Sequence, residues 1–239
     1  MQERWIRWTM GLDWCTPGYL VREEMEKEKF RTRVGRRAVG FERKLEEGRG
    51  GILARKCLEE MERRIREGRN LSSWEEERKE FFKSKGMEVK EMEERKRRGE
   101  EIYEGWEERD KERQKEERWE NIRDSRYNRW YKEVKEEGLP AYLKKGWGES
   151  RWKRVVRFRL NNEMKGARYW EEEEKKRCRL CGGGEETWEH VLEGCMGKEE
   201  DMIWWERLRE ILGQEGEGEK WMREIERKRK KEWEREGKG

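Results

Sequence analysis

Between residues 87 and 137 the chain is dominated by Glu, Lys and Arg, and it contains no proline. Its sparse apolar residues are spaced as only a helix can use them. Trp119, Ile122, Tyr127, Trp130 and Val134 fall at i, i+3, i+8, i+11 and i+15, a thin stripe along one helical side. Glu–Lys and Glu–Arg pairs four apart add about 0.2–0.5 kcal/mol each. Sustained a/d heptads are absent, so a regular coiled coil is not expected. The segment predicts a near-continuous, largely solvated helix. "EEGLP" ends it, because Pro140 disfavours helix in the residue before it.

The rest of the chain shares this character. Of its 239 residues, 50% are charged and 31% hydrophobic, against roughly 45–50% apolar in ordinary globular chains. One large core is therefore not expected, and small local cores beneath solvated helices are. The net charge is only +4, so partners must be read from local charge. Glu, Lys, Arg and Gly can all use purine-only codons and Trp uses TGG, so the fifteen Trp residues need not be fifteen stacking sites. The N-terminal "MQERWIRWTMGLDW" has no apolar run of the signal-peptide type. No stretch approaches the ~18–20 apolar residues of a membrane span. The expected setting is nuclear or cytoplasmic, not secreted, with reduced cysteines.

No alternating strand run and no hairpin signal occurs. The fold class expected is all-α, long charged helices with a small C-terminal zinc knuckle. Four segments are expected: residues 1–68, a helical segment; 69–139, a charged helical linker; 140–212, a basic helix, knuckle and following helix; and 213–239, a flexible link ("GQEGEGE") and basic tail helix. Expected helix starts are Thr16 as N-cap with Pro17 in the first turn, a Ser73/Glu76 capping box, Ser150, and a position near Asp201.

The chemistry concentrates in "KRCRLCGGGEETWEHVLEGC", residues 176–195, with three of the five cysteines and the single histidine. The spacing is Cys178-x2-Cys181-x8-His190-x4-Cys195. Three thiolates and one imidazole suit tetrahedral Zn. Cys-x2-Cys is a tight turn, and the glycines at 182–184 let the chain fold back toward the metal. Thr187 can cap a short helix carrying His190, with Trp188, Val191 and Leu192 as a miniature core of the knuckle's own. A filled Cys3His sphere leaves no open position and argues for a structural metal. Cys15 and Cys57, with no ligand nearby, read as inert buried thiols.

These residues carry a resemblance. "RWKRVVRFRLNNEMKGARYWEEEEKKRCRLCGGGEETWEHVLEGC" resembles the C-terminal region of insect non-LTR retrotransposon reverse transcriptase polyproteins of the jockey-like kind. There a basic R-x-R-L helix precedes a Cys-x2-Cys…Glu-Thr-x-x-His…Cys knuckle. The matching positions are Arg157, Arg159 and Leu160, then Cys178, Cys181, Glu186, Thr187, His190 and Cys195. "WIRWTMGLDWCTPGYLVREEMEKEKFRTRVGRRA" is similar to the segment that follows the polymerase in such polyproteins. The resemblance implies a non-catalytic piece. A polymerase needs paired aspartates for two metal ions, whereas Asp13, Asp110, Asp124 and Asp201 are isolated; a restriction-like endonuclease would need a Pro-Asp motif after the knuckle, and both prolines precede it.

The function expected is weak, non-specific binding of RNA or DNA, through the knuckle and through Arg151, Lys153, Arg154, Arg157, Arg159 and Lys176. Trp152 or Trp188 could stack on an unpaired base. The competing expectation is a helical module whose zinc is purely structural and whose charged helices dock on a protein partner, or a transposon relic with no function. No membrane is implicated.

Overall fold

A computed structural model of the chain describes residues 2–69, 72–100, 105–125, 128–196, 203–235 and 237. The fold is all-α. Among the described residues there are eleven α-helices and no strand, with a single antiparallel bridge between Arg177 and Glu185. Tyr127 and Asp201 lie outside the described residues.

The chain forms two compact units, residues 1–27 with 117–239, and residues 28–116. These are not the four segments expected from sequence. In the first unit, α1 (Gln2–Met10) and α2 (Gly18–Glu24) join the C-terminal part of the chain: the end of α7 (Trp106–Arg123), α8 (Tyr131–Val134), α9 (Glu149–Arg159), α10 (Trp204–Ile211) and α11 (Glu219–Arg235). Ile6, Met10, Leu20 and Val21 share one contiguous core with Ile122, Val155, Phe158, Leu208, Met222 and Ile225. The expectation of small local cores is thus wrong for this unit. Apolar residues are few, but they converge from distant parts of the sequence. Trp119, Trp130, Trp147, Trp152, Trp204, Trp205 and Trp221 flank that core.

At its centre lies a buried ion pair. Arg159 and Glu24 have side chains with no exposed surface and meet at 2.6 Å. Tyr131 and Tyr142 hydroxyls donate to Glu24 at 2.8 and 2.7 Å. Arg159 also donates to the carbonyls of Leu212 and Gly213. Burial opposes the Glu24 charge, but Arg159 and the two tyrosines hold the carboxyl below its usual range. Burial raises both tyrosines, and the Glu24 charge adds to it.

Several local expectations shift. Thr16 does not cap α2; its hydroxyl donates to Asn162 Oδ1 at 2.9 Å, and α2 ends at Glu24. The α9 N-cap is Gly148, with Ser150 inside the helix. α9 ends in a Schellman turn: Asn161 takes φ +60°, Asn162 N donates to Arg157 O at 2.8 Å, and Asn161 N to Phe158 O at 3.0 Å. "GQEGEGE" is a packed turn and not a flexible link. Gln214 O accepts from Tyr142 N at 3.1 Å, and a Cβ on Gly218 would lie 2.2 Å from Ile211 O.

The second unit holds α3 (Phe30–Glu46), α4 (Ile52–Arg66), α5 (Ser73–Lys83), α6 (Val89–Arg97) and the start of α7. Here the small-core expectation holds: Val39, Phe82, Val89, Met92 and Trp106 form one cluster, and Leu45, Leu58 and Met61 another. Polar contacts complete it. Arg78 is buried with Glu42, and Gln114 Nε2 donates to Asp110 at 2.7 Å and Thr32 at 2.8 Å. The capping box sits one residue earlier than expected, on Ser72 and Glu75. The long 87–137 helix is interrupted, with Gly99 and Gly105 both at positive φ. Cys57 is exposed, not buried.

Candidate metal centre

The ligand loop begins as a narrow turn. Cys178 N donates to Gly184 O at 2.9 Å, and Gly182 N to Cys178 O at 2.8 Å. Gly182 takes φ +65°, which a side chain would resist. Gly183 N points at Cys181 Sγ, 3.4 Å away. Thr187 caps the next helix as expected, accepting from His190 N at 3.2 Å.

That helix then widens. His190–Cys195 is a π turn, closed by Met196 N donating to Val191 O at 3.1 Å. The widening has a geometric consequence. In an α-helix residues five apart point about 140° away from each other, from 3.6 residues per turn. A five-residue hydrogen-bonded turn brings them close to the same side. His190 and Cys195 therefore face one point, which ordinary helix geometry would not allow.

Cys178, Cys181, His190 and Cys195 thus offer four ligand atoms, all within 4.8 Å of one another, and could hold a metal ion. His190 Nε2 lies 3.2 Å from Cys181 Sγ and 3.4 Å from Cys195 Sγ, and the Cys178 and Cys195 sulfurs are 3.6 Å apart. A tetrahedron with metal–sulfur bonds of about 2.3 Å has sulfur–sulfur edges of about 3.8 Å, so the spacing fits the donor set. All three cysteines are free thiols. Burial pushes the Cys178 thiol up; burial and the neighbouring Cys181 and Cys178 sulfurs push Cys195 up. Burial also opposes ionisation of Cys181, but the Gly183 amide and His190 outweigh it, and its thiol falls to about 7. A bound cation would deprotonate all three.

The expected self-contained knuckle core is not what the structure has. Cys178, Trp188, Val191 and Leu192 belong to the main core of the first unit. Trp188 is buried and stacks on Trp221 of α11, centroids 6.0 Å apart at 22°. Glu186, fully buried, receives Arg179 at 2.7 Å and also Arg229 of α11. The cluster is built into the fold.

The expected nucleic-acid-binding residues are occupied by carboxylates. Arg154 meets Glu219 and Glu226, each at 2.7 Å, and Arg151 lies 3.4 Å from Glu219. Lys153 pairs with Glu149, Arg157 with Glu163, and Lys176 with Glu173 at 2.8 Å. Arg159 must be withdrawn from any binding surface, because its guanidinium is fully buried against Glu24. A different basic row stands free. Lys220, Arg223, Arg227 and Lys231 are exposed along α11 at spacings of three and four, and none pairs with a carboxylate among the described residues. Glu224 and Glu234 flank that row, each bound to a lysine outside it. The spacing was readable in the tail helix; that the α9 bases would be neutralised was not.

Compared with known protein families, curated proteins and solved structures, the chain matches none. No described helix is long and apolar enough to cross a membrane.

Proposed function

We propose that the chain is a non-catalytic helical binding module built round one structural Zn2+, and that its partner is single-stranded RNA or DNA. The observation that carries the metal half is the convergence of Cys178, Cys181, His190 and Cys195 within 4.8 Å. Three sulfurs and one imidazole suit zinc above other common ions and fill its coordination sphere. Zinc would supply folding energy there: its ligands lie on a loop and a π turn whose apolar neighbours are core residues.

The nucleic-acid half rests on the free basic row of α11, which replaces α9 as the phosphate-facing surface. Phosphate contacts by Lys and Arg give affinity without sequence preference. The likeness of residues 151–195 to the C-terminal region of jockey-like retrotransposon polyproteins supports the same reading, with the chain as a piece of such a polyprotein. A protein partner is the second reading, favoured by the neutralisation of every α9 base.

The test is fluorescence anisotropy of a labelled single-stranded oligonucleotide across a salt series. Four contacted phosphates give a log–log slope near −3, at roughly −0.7 per phosphate. Replacing Lys220, Arg223, Arg227 and Lys231 by Gln should flatten the slope and leave the fold intact. Absence of any salt-dependent binding by the parent chain would leave the protein-partner reading ahead.

A further inference from the structure

Within the second unit, α3, α4 and α5 line a groove of about 850 Å³. Its floor draws on both of that unit's small clusters, Val39 and Phe82 from one and Leu45, Leu58 and Met61 from the other. Its mouth is apolar too: Val34, Phe41 and Trp74 line it and stand 48%, 55% and 58% exposed. Small units bury a smaller fraction of their surface than large ones, so they gain most from a partner that covers apolar side chains. Apolar walls alone name no occupant, and the charged residues along the groove decide it.

α3 and α5 run antiparallel. Lys85 Nζ donates to Thr32 Oγ1 at 3.4 Å, Phe81 fills the space over Gly35, and Arg78 Nε donates to Glu42 at 3.1 Å. Arg31, at the start of α3, therefore lies toward the Lys85 end of the groove. Glu77, next to Arg78, lies toward the Glu42 end. The other charges that line the groove are paired inside the unit: Glu42 with Arg78, Glu60 with Arg63 at 2.7 Å, and Arg64 with Glu75 at 3.6 Å. Arg31 and Glu77 are exposed, and neither pairs with a charged group among the described residues. One groove thus carries an unmatched base toward one end and an unmatched acid toward the other.

We propose that this groove is the contact between two copies of the chain, related by a two-fold axis that crosses it. A two-fold contact uses the same patch on both copies, so that residue i meets j while j meets i. With the axis perpendicular to α3 the two grooves lie antiparallel. Arg31 of each copy then meets Glu77 of the other, and both unmatched charges find a partner. Phe41 and Trp74 become apolar anchors between the copies, shielded from water by the charged rim. A long-chain carboxylate would also suit the apolar walls, but it answers only Arg31 and adds a second negative charge to the groove that holds Glu77.

The test is sedimentation velocity of the full chain over a concentration series. A dimer of twice 29.8 kDa is expected, reversible on dilution. Arg31→Glu and Glu77→Arg each set like charges together at two places in the dimer, and each variant alone should dimerise about tenfold more weakly. Both change exposed side chains, so the dilute variants should melt at the parental temperature. Mixed in equal amounts, the two variants should associate as tightly as the parent, because the mixed pair meets opposite charges at both ends. Cys57, exposed on the α4 wall of the groove, should be alkylated more slowly as the parent concentration rises. A parent chain that stays monomeric at high micromolar concentration overturns the proposal, and binding of palmitate by that monomer assigns the groove to an amphiphile instead. A dimer insensitive to both variants, one not restored by mixing them, or one that leaves Cys57 unprotected also overturns it, and places the contact on another face.

Discussion

Glu24→Gln should be among the most damaging single changes in the chain. The substitution keeps the side chain's shape, but it leaves one oxygen for two tyrosine donors that use separate carboxylate oxygens, and it strands the Arg159 charge. That guanidinium has no exposed surface and keeps the backbone carbonyls of Leu212, Gly213 and Val134, none of them charged. Removing one partner of a buried pair costs about 3–5 kcal/mol. Against a total stability of about 5–15 kcal/mol, that is about a fifth or more. Urea unfolding followed by tryptophan fluorescence reads it as a lower midpoint at unchanged slope. The double variant Glu24→Gln/Arg159→Met should recover at least about 2 kcal/mol of the loss, since no charge is left stranded. The pair also sets a pH dependence. Glu24's carboxyl is depressed in the folded state, so its contribution is full above the unfolded glutamate value of about 4.3 and fades as pH falls through the lower folded value. A single-variant loss below about 1 kcal/mol, the worth of an exposed pair, would refute the reasoning.

Gly218→Ala would set a Cβ 2.2 Å from Ile211 O and 2.6 Å from Ile211 Cα. Backbone must move, and a loss of about 1–3 kcal/mol is expected in the same urea assay. Ser72→Ala should remove the α5 capping box, cost about 1 kcal/mol, and show first as faster amide exchange at the start of that helix.

How much of this was readable beforehand divides by range. The four clustered candidate ligands and the Thr187 cap follow from spacing within eighteen residues, so local pattern was enough. The π turn was hidden, because nothing in "HVLEGC" separates it from an ordinary helical turn. Positions of caps slipped by a residue or two because "SS" and "GES" each offer adjacent alternatives. The core of the first unit was hidden for a different reason. Ile6, Val21, Phe158 and Met222 are unremarkable apart, and only the fold brings α1 and α11 both onto α9. Arg159 shows the limit most sharply. In sequence it is one of five bases in nine, and its partner Glu24 stands 135 positions away. Charge runs announce which residues are ionised, and not which of them reach water.

We propose that the Cys3His zinc site is closed and that the first unit depends on it. X-ray absorption at the zinc edge, on protein purified without added metal, tests it most directly. One zinc per chain with three sulfurs at about 2.3 Å, one nitrogen at about 2.0 Å and no oxygen is the result predicted. Stripping that zinc should also disorder the Trp188–Trp221 stack, seen in near-ultraviolet circular dichroism, because the ligand loop shares its core with α11. Protein without zinc, or a shell containing a water oxygen, or an unchanged aromatic signal after stripping, would contradict the account.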